Sequence, residues 1–130
     1  ENLDEGLQKC DYLSLHVPLN EKTRNLINYS KLKKMKKNAI LINTARGGIV
    51  NEEDLNRALN ENLIFGAGLD VFEEEPVNKN NSLLSNKKVI LSPHSATFTN
   101  ECKSRMSIEA TKNIIDFFDN KIDKSMIVKL

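Results

Sequence analysis

The sequence predicts an α/β fold built on a parallel sheet, and three observations predict it. Short β-prone apolar runs recur along the 130 residues, amphipathic helical stretches separate them, and each run exits into a segment crowded with polar and charged side chains. The third pattern matters because ligands collect at the C-terminal ends of strands in an open parallel sheet.

The opening residues Glu1-Asn2-Leu3-Asp4-Glu5-Gly6-Leu7 read as the end of a helix running into a strand, so the segment starts mid-domain. The first strand falls at 12–17 and the second at 39–43. Between them 30–37 forms a short helix, with Leu32 and Met35 facing inward and Lys33, Lys34, Lys36 and Lys37 making a solvated face. Asn51 caps a helix over 52–60, where acidic residues occupy the first turn and Leu55, Ala58 and Leu59 form the buried stripe. A third strand covers 65–71 and a fourth 88–92. The polar stretch 77–87 between them is a surface loop anchored by Leu83-Leu84. From Thr99 a long helix repeats Cys102, Met106, Ala110, Ile114 and Phe118 every four residues, joined by Phe117. That stripe reads as core packing, wide enough that part of it serves a neighbouring domain or subunit.

Nineteen basic residues against eighteen acidic ones give a net charge of +1, which removes the dominant basic field that nucleic acid or anionic lipid would need. No run approaches the ~20 apolar residues of a membrane span, and no basic-then-apolar leader opens the chain, so a cytoplasmic location is expected. Cys10 and Cys102 lack the spacing of a redox or zinc motif and read as two reduced thiols; no metal site is expected.

The strand exits carry the chemistry. The first is His16-Val17-Pro18-Leu19, the second Asn43-Thr44-Ala45-Arg46-Gly47-Gly48, the third Asp70-Val71-Phe72-Glu73-Glu74-Glu75-Pro76, and the fourth Ser92-Pro93-His94-Ser95-Ala96-Thr97. Arg46 offers parallel N–H donors that match a carboxylate, and the following glycines remove bulk so that a ligand can approach closely. Taken alone, Arg46 is better read as pairing with a surface acid than as holding a ligand. His94 can exchange a proton near neutral pH if a carboxylate fixes its tautomer, and Glu73, Glu74 and Glu75 are all candidates. An arginine for a carboxylate and a supported histidine for a carbonyl oxygen suit reversible reduction of a 2-keto acid, with hydride coming from a cofactor.

These four motifs, with Thr23-Arg24 and Gly66-Ala67-Gly68-Leu69 between them, closely resemble the D-isomer-specific 2-hydroxyacid dehydrogenases over nearly the whole chain. The resemblance implies that Arg46 orients the substrate carboxylate and carbonyl, that His94 gives or takes the proton, and that Glu75 is its partner. It further implies an NAD site, NADP not being excluded, in which Asp70 holds the nicotinamide carboxamide and Val17, Pro18, Thr44, Ala45, Ser95 and Ala96 line the cleft. The implied architecture is the second half of a Rossmann-like NAD-binding domain over 1–98, about four parallel strands with flanking helices. The long helix at 99–130 then returns toward an absent substrate domain. A small 2-hydroxy or 2-keto acid substrate and a homodimer of the intact protein complete the implied picture.

The Gly-x-Gly-x-x-Gly turn that receives a pyrophosphate is absent, and Gly66-Ala67-Gly68 does not replace it, since it lies inside a strand where its glycines allow close packing. The segment alone is therefore expected to bind NADH weakly and to turn nothing over. The missing turn also motivates a non-enzymatic alternative, an NAD(H)-sensing or association module of the same fold. A formate dehydrogenase is a third option, for which glutamine rather than Glu75 would be expected beside the histidine.

Overall fold

The computed structural model describes residues 2–127 and divides the chain into two compact units, Glu1–Ser95 and Ala96–Leu130. In the first unit the order is α1 (Leu3–Lys9), β1 (Tyr12–Leu15), α2 (Tyr29–Leu32), β2 (Ile40–Asn43), α3 (Glu52–Asn60), β3 (Gly66–Leu69) and β4 (Val89–Leu91), with a 3₁₀ turn at Ser82–Ser85. All strand pairs are parallel in the order β1-β2-β3-β4. The α/β class and the four-stranded parallel sheet expected from the sequence are both present.

Register explains which side chains face the core. Leu13, Leu41, Ala67 and Val89 stand in one row across the sheet, and Leu15, Asn43, Leu69 and Leu91 in the next. Both rows join the apolar cluster that holds Leu7, Leu32, Leu55, Ala58 and Leu59 from the helices. Burying each leucine contributes about 1.5–3 kcal/mol. Because the strands follow one another in order and parallel crossovers share one hand, the connecting helices fall on one face of the sheet rather than on both. On the opposite face Tyr12 is 70% and Ile90 81% exposed.

Helix α3 matches its expected limits. Its cap Asn51 accepts from the Asp54 N–H, Glu52, Glu53 and Asp54 fill the first turn, and Asn62, at φ 59°, turns the chain out of the helix. The strands are each shorter than their apolar runs by one to three residues at their ends, although Asp70 and Ser92 still donate their N–H groups to the Asn43 and Leu69 carbonyls of the neighbouring strands. The expected helix at 30–37 is one turn of α-helix that continues as turns, although Leu32 and Met35 are buried as anticipated. Helix α1 runs from its cap Asn2, whose side chain accepts from the Asp4 N–H, to Lys9 and leads into β1. Leu83 alone anchors the 77–87 segment, Leu84 being exposed.

The second unit contains α4 (Asn100–Phe118), capped by Thr99, and a 3₁₀ turn at Lys124–Met126. The expectation that its stripe is core packing is not met among the described residues. No residue of α4 is buried, and Phe118 is 77% exposed, because a single amphipathic helix has no second layer of its own to pack against. No helix among the described residues is long and apolar enough to cross a membrane.

Candidate active site at the strand exits

Arg46 leaves β2 through a loop whose backbone is held from three directions. Upstream, the buried Asn43 side chain accepts from the Ala45 N–H at 3.1 Å and donates to the Arg46 carbonyl at 2.9 Å. Downstream, the Gly48 carbonyl accepts from the Asn25 N–H, and Ile27 and Val50 form a parallel bridge. Between these, Gly47 lies flat against the next exit: a Cβ there would stand 1.7 Å from the Phe72 carbonyl oxygen. Gly47 is required by contact between neighbouring loops rather than by a ligand's approach, while Gly48, at φ 77°, takes a backbone conformation that other residues resist.

The Arg46 guanidinium is exposed and donates to the Ala45 carbonyl at 2.6 Å; among the described residues no carboxylate pairs with it. It lines a cleft of about 600 Å³ with His16, Val17, Pro18, Leu19, Thr44 and Ala45. Four of the residues expected at the cofactor site, Val17, Pro18, Thr44 and Ala45, thus share one hollow with the arginine. The wall formed by residues 16–19 is fixed by Thr23, which donates to the Pro18 carbonyl, and by a 2.7 Å contact between His16 Nε2 and Ser14 Oγ.

His94 and Glu75 meet on the other side. Their Nδ1 and Oε2 atoms lie 2.7 Å apart, and Glu75 Oε1 accepts from the Phe72 N–H at 2.9 Å. Of the three consecutive glutamates, Glu75 is the one placed beside the ring, following a turn that ends in a cis Glu75–Pro76 peptide bond. A carboxylate can only accept here, so Nδ1 carries the hydrogen and Nε2 is left to exchange a proton. The His94 ring contact and then the Phe72 N–H hold the Glu75 carboxyl below its ordinary value. The pair lines a second hollow of about 360 Å³ with Phe72, Pro76, Val77 and Pro93.

Asp70, 3% exposed, ties the β3 exit to the β4 exit. Its Oδ1 accepts from the Ser92 hydroxyl and from the Ser95 N–H at 2.8 Å, while its carbonyl accepts from the His94 N–H at 2.8 Å. His94 itself sits at φ 51°, a left-handed conformation that these bonds hold in place. Ala96 is the first residue of the second unit. Arg46 and His94 leave β2 and β4, so two strand spacings of about 4.8 Å separate their backbones, roughly 10 Å in all. Sequence reasoning missed Asn43, Ser92 and the Phe72 N–H; Asn43 left one signal, a polar residue at an inward position of a strand.

The Glu75 carboxyl also fixes how stability depends on pH. Since its folded value is depressed, its contribution is fully present above the ordinary value of 4.5 and is lost as pH falls through the lower, folded value. The gap in urea midpoint between the native chain and Glu75→Gln should narrow as pH falls below 4.5; a gap that goes on widening below that pH would contradict this assignment.

Residues 1–96 match the family described as D-isomer specific 2-hydroxyacid dehydrogenase, NAD binding domain. A glyoxylate reductase of Aeropyrum pernix is 46% identical over 126 residues, 97% of this chain and 38% of that protein's length. Among solved structures, an acyclic imino acid reductase in complex with NADPH and D-Arg superposes with a TM-score of 0.86 at 34% identity, over 94% of this chain and 39% of that one. The NAD-complexed D-isomer specific 2-hydroxyacid dehydrogenase of Lactobacillus delbrueckii ssp. bulgaricus gives 0.84 at 30% identity, over 98% and 43%. The chain thus spans well under half the length of these relatives, but its family is plain: it belongs to the D-isomer specific 2-hydroxyacid dehydrogenases, through their NAD-binding domain.

Proposed function

We propose that the whole protein interconverts a D-2-hydroxy acid and its 2-keto acid with NAD(H), and that this chain supplies the proton-transfer pair and the arginine that anchors the substrate. The observation that carries the reading is the 2.7 Å contact of His94 Nδ1 with Glu75 Oε2 at the β4 and β3 exits, beside a β2 exit whose guanidinium has no carboxylate partner among the described residues. Glyoxylate is one substrate that similarity suggests, since the Aeropyrum pernix relative is named for reducing it.

The cleft beside Arg46 fits a nicotinamide on chemical grounds. Val17, Pro18, Leu19 and Ala45 offer apolar surface for a flat ring, and Thr44 a hydroxyl for its polar substituent. Asp70 is assigned to the carboxamide of that ring, and the Ser95 backbone to the lining of the cleft. NADP remains as compatible as NAD, since both forms occur among the similar structures. When bound, the cofactor supplies or accepts the hydride. The chain's own residues do the rest: Arg46 grips the substrate carboxylate and turns the adjacent carbonyl toward His94, whose Nε2 hands a proton to the carbonyl oxygen or takes it from the hydroxyl. Glu75 keeps Nδ1 protonated and offsets the charge of the imidazolium. Helix α4 is read as the segment that returns toward a substrate domain, and the whole protein as a homodimer, both on family resemblance.

His94→Ala in the whole protein should lower kcat on its best substrate among glyoxylate, pyruvate, hydroxypyruvate and phosphohydroxypyruvate by about 10²–10⁴-fold, with NADH affinity little changed. Full turnover by the variant would remove His94 from the reaction. An unmodified protein inactive on all four would favour the NAD(H)-sensing alternative. The 130 residues by themselves hold no Gly-x-Gly-x-x-Gly turn, so calorimetric titration should find NADH binding weaker than micromolar; micromolar affinity would contradict the assignment of most affinity to that turn.

A further inference from the structure

Asn43 and Asp70 are the buried polar residues among the described ones, and they are hydrogen-bonded to each other's strands. Asn43 stands in the row Leu15–Asn43–Leu69–Leu91, where every other member is leucine, and it is 2% exposed. A polar side chain in such a row costs stability unless both its ends are satisfied. Here they are: Oδ1 accepts from the Ala45 N–H and Nδ2 donates to the Arg46 carbonyl. The backbone continues the connection, since the Asn43 carbonyl accepts from the Asp70 N–H at 3.0 Å and the Asp70 carbonyl from the His94 N–H at 2.8 Å.

We propose that Asn43 is a positioning residue for substrate binding: its amide clamps residues 45–46 in the turn that aims the Arg46 guanidinium, at a fixed distance from the backbone that carries His94. This rests on the reading of Arg46 as the substrate anchor. The chemistry of the clamp selects asparagine. One short side chain must accept at one end and donate at the other, which aspartate cannot do because a carboxylate has no donor, and leucine cannot do at all. Aspartate would also set a buried negative oxygen against the Arg46 carbonyl. The Arg46 guanidinium donates to the Ala45 carbonyl as well, in the one peptide unit that lies between the two that the amide clamps.

Asn43→Asp in the whole protein should raise KM for the keto acid at least about 10-fold, since small misplacements of an orienting group carry large kinetic costs. The dissociation constant for NADH should stay within about twofold and the pH profile of kcat should not move, because His94 and Glu75 are untouched. In an Arg46→Ala background the Asn43→Asp change should add no further rise in KM, as expected when one residue acts through the other. If Asn43→Asp does not fold, Asn43→Ser, which keeps a single hydrogen-bonding end, should show the same KM rise to a smaller degree. An unchanged KM in the folded variant, or a rise that persists in full in the Arg46→Ala background, overturns the proposal. An Arg46→Ala variant with normal KM would instead bring down the anchor reading, and this proposal with it.

Discussion

At Gly47 the backbone of one loop fills the space that any other residue's side chain would need, because the Phe72 carbonyl oxygen stands where a Cβ would be. That contact sets the separation between the loop carrying Arg46 and the loop carrying Glu75, and the remainder of the site is arranged around it. Nearby, Glu52 and Glu73 each accept the other's backbone N–H, which stitches the N-terminus of α3 to the Glu75 loop a second time. Parallel strands bring these exits to one edge of the sheet, while backbone packing between the loops decides how the exits face one another.

Two consequences follow for the chemistry. Glu75 is held at both oxygens, by the Phe72 N–H and by the His94 ring, so it is oriented before any substrate arrives. The imidazole is likewise fixed from its backbone: the His94 N–H bonds to Asp70, the neighbouring Ser95 N–H bonds to the Asp70 side chain, and the φ of 51° aims the ring out of the β4 exit. The Arg46 side chain, by contrast, is exposed and among the described residues bonds to the carbonyl beside it, as suits a group whose partner is to be a ligand.

How much of this was legible in the sequence varies with the kind of signal. Helix α3 was readable to the residue because its limits are set locally, by the Asn51 cap, the acidic first turn and the Leu55, Ala58, Leu59 stripe. The strand positions were readable from their apolar runs, but their ends were not, since a strand stops where its neighbour turns away and sequence does not show the neighbour. The four exits identified the family before any geometry was known. Gly47 was misread because the carbonyl it yields to comes from a residue 25 positions later. Asn43 was passed over because both its partners are main-chain groups, which have no letter in the sequence. The exposure of α4 was hidden for a related reason: an amphipathic stripe shows that a helix has a face to bury and says nothing about what covers it.

The central claim is that one small acid bridges Arg46 and the His94–Glu75 pair. Its most direct test is a crystal structure of the whole protein with NADH and oxamate, an unreactive 2-keto acid analogue. The account predicts the oxamate carboxylate on the Arg46 guanidinium and its carbonyl oxygen within hydrogen-bond distance of His94 Nε2, with the Nδ1–Glu75 contact kept. Oxamate bound away from Arg46, or a His94 ring turned from Glu75 in the complex, would contradict it.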